Sequence, residues 1–144
     1  MSVPLPSHVP RARVDPIRSD THAREVLAIA RSVPPIDETI AILLDHTDRG
    51  RAVVIVTGTT EPDHVLGVVD EIVERAAPES EVAAIVLASV RPHRPVEPAD
   101  IDRWLEASAR CDDAGIDLME WYVFSDDEIG CPRDRYGEPP RWSR

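Results

Sequence analysis

Between residues 89 and 100 the chain reads Ser-Val-Arg-Pro-His-Arg-Pro-Val-Glu-Pro-Ala-Asp, a loop that holds an imidazole and two carboxylates. Such groups are donors that a divalent cation such as zinc accepts, so His93, Glu97 and Asp100 can assemble a metal site if the loop folds them together. The plainer reading leaves His93 as an exposed loop residue. His46, within Asp45-His46-Thr47-Asp48, and His64, near a helix N-terminus, read as turn and surface residues. Cys111 and Cys131 form no C-x-x-C pair, so neither a zinc knuckle nor a thioredoxin-like redox motif is available. Ser89, Ser108 and Ser125 lack the G-x-S-x-G elbow that exposes a nucleophile, and no glycine-rich run is present to cradle phosphates.

The second cluster lies at the C-terminal end, where Arg133, Arg135, Tyr136, Arg141 and Trp142 can dock a protein partner or phosphate groups through guanidinium and aromatic contacts. The competing reading makes the same segment a strap docked on its own domain. Acidic residues Asp70, Glu71 and Glu74, and the pair Asp112-Asp113, read as solvated surface, or as a face for a basic partner.

A core is needed to position these groups, and 144 residues with 42% hydrophobic content supply one domain's worth. The formal charge is −11. It is unevenly spread: Arg11, Arg13 and Arg18 against Asp15 make the first eighteen residues basic, four Arg against three acids make residues 128–144 slightly so, and the body between them carries the acid. A polyanion is repelled by that body, so nucleic-acid binding is disfavoured. No apolar run approaches membrane-spanning length, and the N-terminus has no basic-then-apolar signal pattern, so a soluble cytoplasmic protein is expected.

Residues 1–18, with Pro4, Pro6, Pro10 and Pro16 among charges, read as a flexible arm. Asp20 can cap a helix with apolar positions Ala23, Val26, Leu27 and Ala30, stopped by Val33-Pro34-Pro35. Glu38–Asp45 and Ala52–Thr57 read as a hairpin across Asp48-Arg49-Gly50. Thr60 with Asp63 resembles a capping box before a helix with stripe Val65, Leu66, Val68, Val69, Ile72, Val73 and Ala76. The unbroken apolar run Glu81–Ala88 is that of a central strand covered on both faces. A further helix begins near Pro98, carries Ile101, Trp104, Leu105, Ser108 and Cys111 on its stripe, and ends at Gly115, with a strand from Ile116 to Phe124 after it. Trp104, Trp121 and Cys111 fit as core residues. Residues 125–144 read as an irregular tail. The expected class is α/β, an α+β mixed sheet in the order helix-strand-strand-helix-strand-helix-strand, as a single domain spanning residues 19–124.

Three stretches together resemble the C-terminal domain of the RadC family, which has the JAB/MPN (JAMM) metalloprotease-like fold. They are Val53-Val-Ile-Val-Thr-Gly-Thr59 before a helix, Ala83-Ala-Ile-Val-Leu-Ala88 leading into a Pro-containing loop, and Pro98-Ala-Asp-Ile101 leading to Ala114-Gly-Ile116, over about residues 38–124. The resemblance implies a site in which two His of an H-x-H-P motif and an Asp hold zinc while a Glu on an earlier strand takes a proton from bound water. Here Ser89 and Arg91 stand at the His positions, with Pro92 matching the family's Pro; Glu97 stands at the family's Ser, and Asp100 at the metal-binding Asp. The Glu position maps to Ala52 or Val53, neither of which moves a proton.

One ligand beside a permanent cation does not hold a dication, so the expectation is a RadC-like domain with no catalytic residue and no cofactor. It would act as a protein-interaction or scaffold module for an unidentified protein partner. The alternative is a divergent zinc-dependent peptidase or isopeptidase using His93, Glu97 and Asp100, although without the base Glu a metal there is more structural than hydrolytic. Arg91 either fills the vacated metal volume and pairs with Asp100, or faces solvent while Asp100 interacts with its helix dipole.

Overall fold

The computed structural model describes residue 11 and residues 14–76, 81–126 and 128–142. Residues 1–10, 12 and 13, most of the segment read as an arm, lie outside the described residues. The elements are α1 (Asp20–Ala30), β1 (Glu38–Leu44), β2 (Gly50–Thr57), α2 (His64–Ala76), β3 (Ala84–Val90), α3 (Ala99–Asp113), β4 (Asp117–Phe124), β5 (Ile129–Gly130) and α4 (Pro132–Tyr136). The mixed α/β class expected from the periodicity is the one found, in one five-stranded sheet of order β2-β1-β3-β4-β5. β3 runs antiparallel to β1 and parallel to β4.

The uninterrupted apolar run places β3 at the sheet's centre, where all seven of its residues are buried. Alternate side chains feed two cores. Ala41, Ile85, Leu87 and Val123 face α2 and α3, meeting Val65, Val69, Trp104 and Cys111. Ile40, Ile42, Val86 and Tyr122 face the opposite way, against Ala23 and Leu27 of α1. In β4 an extra residue interrupts the register opposite Ile85/Val86, where Leu118 pairs with Ile85 and Glu120 with Val86. This resets the alternation, so that Leu118 and Trp121 share one core although three residues apart. Among the described residues no helix is long and apolar enough to cross a membrane.

Local chemistry departs from expectation at three places. Ser19, not Asp20, caps α1, accepting from the His22 N–H at 3.2 Å, and Asp20 instead accepts from the Tyr122 hydroxyl at 2.6 Å. α2 starts at His64, whose Nδ1 accepts from the Glu61 N–H at 3.2 Å, while Asp63 turns away to an arginine of α3. Ile17, in the segment read as an arm, is buried, and Pro16 bridges Arg49.

The segment from Ser125, read as irregular, carries β5 on the edge of β4 and the single-turn helix α4, closed by Gly137 at φ 92°. Without a Cβ, Gly137 occupies this left-handed position at no steric cost, and its N–H reaches the carbonyls of Arg133 and Asp134. β5 lies so close to the 91–98 loop that a Cβ at Gly130 would stand 2.5 Å from the Val96 Cγ2. Gly130→Ala is therefore expected to cost about 1–3 kcal/mol by overpacking. Chemical denaturation of the variant checks this, and Val96→Ala in the same chain should restore most of the loss.

Candidate functional site

β3 and β4 end side by side, and α3 begins just beyond them; open α/β sheets place ligands at such carboxyl ends. Arg91 leaves β3 with its N–H donating to the Phe124 carbonyl at 2.8 Å, which fixes the exit of both strands. Its guanidinium then grips Asp100 in a fork, Nη1 to Oδ2 at 2.8 Å and Nη2 to Oδ1 at 2.9 Å. Both side chains are closed to solvent, 3% and 0% exposed. The reading in which Arg91 faces solvent is therefore incorrect. Geometry explains why: a residue at a strand's end and one in the first turn of the following helix are brought together by the loop that joins them.

Each oxygen of Asp100 has a further donor. Arg103 donates to Oδ1 at 2.8 Å and the Glu97 backbone N–H to Oδ2 at 2.9 Å. Pro98, at the helix's N-cap position, has no side-chain cap to offer, so Asp100 takes that N–H from within the first turn. Burial alone would raise the Asp100 carboxyl's pKa; the donors from Arg91, Glu97 and Arg103 outweigh it and hold the group below the usual carboxylate range. Arg103 extends the network to Glu97 and to Asp63, both at 2.7 Å. Desolvation works against the Arg103 cation, but its three carboxylate partners raise its pKa above the ordinary arginine value. Behind the pair, the Arg91 guanidinium lies 5.5 Å from the Trp121 ring centroid, and the Trp121 Nε1–H donates to the Ser89 hydroxyl at 2.9 Å.

The structure does not bring His93, Glu97 and Asp100 together as a metal site. His93 has a left-handed backbone, φ 70°, and its exposed ring meets Asp126, Nδ1 to Oδ2 at 2.5 Å. Glu97 is held by Arg103, and Asp100 by two guanidinium groups. Among the described residues no group of three or more His, Cys, Asp or Glu side chains is placed to hold a metal ion. Beside Arg91 is a shallow cleft of about 310 Å³ lined by Pro62, Arg91, His93, Arg94, Glu97 and Pro98 among others.

The five tail candidates separate into two groups. Arg133 is buried and donates from Nε to Glu120 at 2.8 Å, with a second contact to the Glu138 carbonyl. Arg141 stacks 4.3 Å from the Trp104 ring centroid, clasps both oxygens of Glu138 and donates to the Leu118 carbonyl at 2.8 Å. Trp142 packs against the α1-side core. As partner-binding residues these three are corrected: the guanidinium groups of Arg133 and Arg141 and the ring of Trp142 are used to dock the tail on its own domain. Arg135 and Tyr136 remain exposed. Cys111 and Cys131 are both pushed up to about 12 by burial, so neither is a thiolate at neutral pH.

Three buried or network residues escape a reading of the sequence. Arg103 sits three positions after Asp100, a helical pairing distance that signals the contact. The extra residue in β4 sets Glu120 opposite Val86, on the face that Arg133 reaches, and Glu38 is buried with its carboxylate on the Ser32 N–H and hydroxyl. Compared with models of known families and with curated proteins, the chain matches none.

Proposed function

We propose that the chain is a non-catalytic RadC/JAB-like module that works in the cytoplasm by binding another protein chain. One observation carries the non-catalytic half: the carboxylate at the metal-ligand position of that resemblance is held in a buried fork by Arg91, with Arg103 behind it. A dication entering there would need to displace a bidentate charge-assisted pair and then sit against two fixed cations. In this reading a covalently tethered positive group stands where the family pattern has a metal, and it supports the sheet ends. Ser89, at the other degenerate position, serves as acceptor for Trp121.

Purification without chelator followed by elemental analysis tests this. Less than about a tenth of an equivalent of zinc is expected, because several preplaced donors are required for structural affinity. The melting temperature should also be unchanged by EDTA or by added zinc. Stoichiometric zinc that leaves with His93→Ala would favour the hydrolase alternative instead.

A further inference from the structure

We propose that the free edge of β2 is a self-association surface, on which a second copy of this chain lays its own β2 antiparallel to make one continuous sheet. The inference rests on the interaction-module reading and names the partner. β2 is the outermost strand of the sheet, with β1 on one side and, among the described residues, no strand on the other. Among the described residues, pairing ahead of it is limited to the bridge from Pro16 to Arg49, before which the Arg11 carbonyl accepts from the Val14 and Asp15 N–H groups in a tight turn. Eight residues at about 3.4 Å each leave a row of backbone donors and acceptors roughly 27 Å long.

Edges of this kind are usually blunted by a charge, a proline or a bulge. From Ala52 to Thr57 there is no charge and no proline, only Ala-Val-Val-Ile-Val-Thr, and the register shift falls near the start of the strand. Val53, Ile55 and Val56 stay 46%, 45% and 37% exposed.

Charge selects the occupant. Of the acids near the strand and the loop after it, Glu81, Asp37 and Asp63 are matched, by Arg51, Arg94 and Arg103, and Glu61 is exposed beyond the strand's end. Exposed acids elsewhere, such as Glu74, Asp102, Asp112 and Asp113, sit on α2 and α3. Two acidic molecules can therefore meet at this edge with little like-charge contact, whereas a strongly basic or acidic partner finds no complementary charge there. The fitting complement is an uncharged apolar strand, and this chain carries one. A two-fold axis through Val54, perpendicular to the sheet, sets Val53 opposite Ile55, Ala52 opposite Val56 and Arg51 opposite Thr57, each twice, with no like charges facing. At the far end of the sheet β5 pairs only with Val123 and Phe124, and the docked tail takes up more of that edge, with Arg141 on the Leu118 carbonyl; a two-fold pairing that uses β2 of both copies leaves neither β2 edge free, so the assembly closes at two copies.

Sedimentation velocity on the full chain from about 1 µM to 1 mM suits an interface of this small class. A reversible monomer–dimer equilibrium is expected, not weakened by raising the salt. Ile55→Lys should raise the dissociation constant at least tenfold, and Glu74→Gln, the same change in charge on another face, should leave it within twofold. Amide exchange at Ala52–Thr57 should slow as concentration rises. A monomer throughout the range overturns the proposal, as does a dimer indifferent to Ile55→Lys, or protection of Ala52–Thr57 that is already complete in the monomer. Thermal melts of both variants show whether a lost dimer is merely a lost fold. A metal-free monomer removes this partner and leaves the interaction-module reading; stoichiometric zinc removes that reading whatever the oligomeric state.

Discussion

Arg91→Ala is expected to lower the free energy of unfolding by about 3–5 kcal/mol, the range for stranding one member of a buried ion pair. Asp100 is fully buried, and its two strongest geometric partners are the Arg91 nitrogens at 2.8 and 2.9 Å. Arg103 and the Glu97 N–H still reach it, which puts the loss at the lower end of that range. The cation over Trp121 is removed as well. Urea denaturation at neutral pH measures the loss, and Asp100→Ala in the Arg91→Ala background should recover part of it, because no unpaired charge then remains.

The pH dependence of that loss has a defined sign. The Asp100 carboxyl lies below its ordinary range when folded, so its contribution is complete above the unfolded value of about 4 and falls away as pH drops through the folded value. The stability gap between the native chain and Arg91→Ala should therefore be widest near neutrality and narrow as pH falls below about 4. A gap that stays constant from neutral to acidic pH would show that the two charges do not interact in the folded protein.

Ending the chain after Asp126 is the second change with a large expected effect. It removes β5, α4 and the docked residues Arg133, Glu138, Arg141 and Trp142. Glu120 then loses its Arg133 partner inside the protein, and burial already holds that carboxyl above its usual range despite the guanidinium. Trp104 loses both the Arg141 stack and the Glu138 acceptor of its Nε1–H. The buried pair alone accounts for about 3 kcal/mol, so the melting temperature should fall by roughly 10 °C or more. Arg133→Met in the full chain should reproduce most of that fall. A truncated protein that melts within about 2 °C of the parent would mean that the tail is a passenger.

How far these features could be read in advance follows from the range of each interaction. β3 was legible because a strand buried on both faces needs an unbroken apolar run, and residues 83–88 provide it. The stripe of α3 placed Trp104 and Cys111 in the core for the same local reason. Arg91 and Asp100 are separated by one short loop, so strand end and helix start suffice to bring them together. By contrast, the contact of Arg103 with Asp63 joins residues 40 apart, and Glu120 reaches Arg133 only because of the extra residue in β4 and the turn into α4. A two-residue strand has no period to detect, so β5 is not legible in the sequence, while the docked tail corresponds to the strap reading of that segment. His93 is near Glu97 and Asp100 in sequence alone; its left-handed backbone turns it to Asp126 instead.

A crystal of the native chain soaked in zinc, with anomalous diffraction measured at the zinc edge, tests the substitution of guanidinium for metal most directly. The expected map has continuous side-chain density from Arg91 to both oxygens of Asp100 and no anomalous peak between them. A peak at about 2.0–2.2 Å from an Asp100 oxygen, with Arg91 swung away, would contradict it.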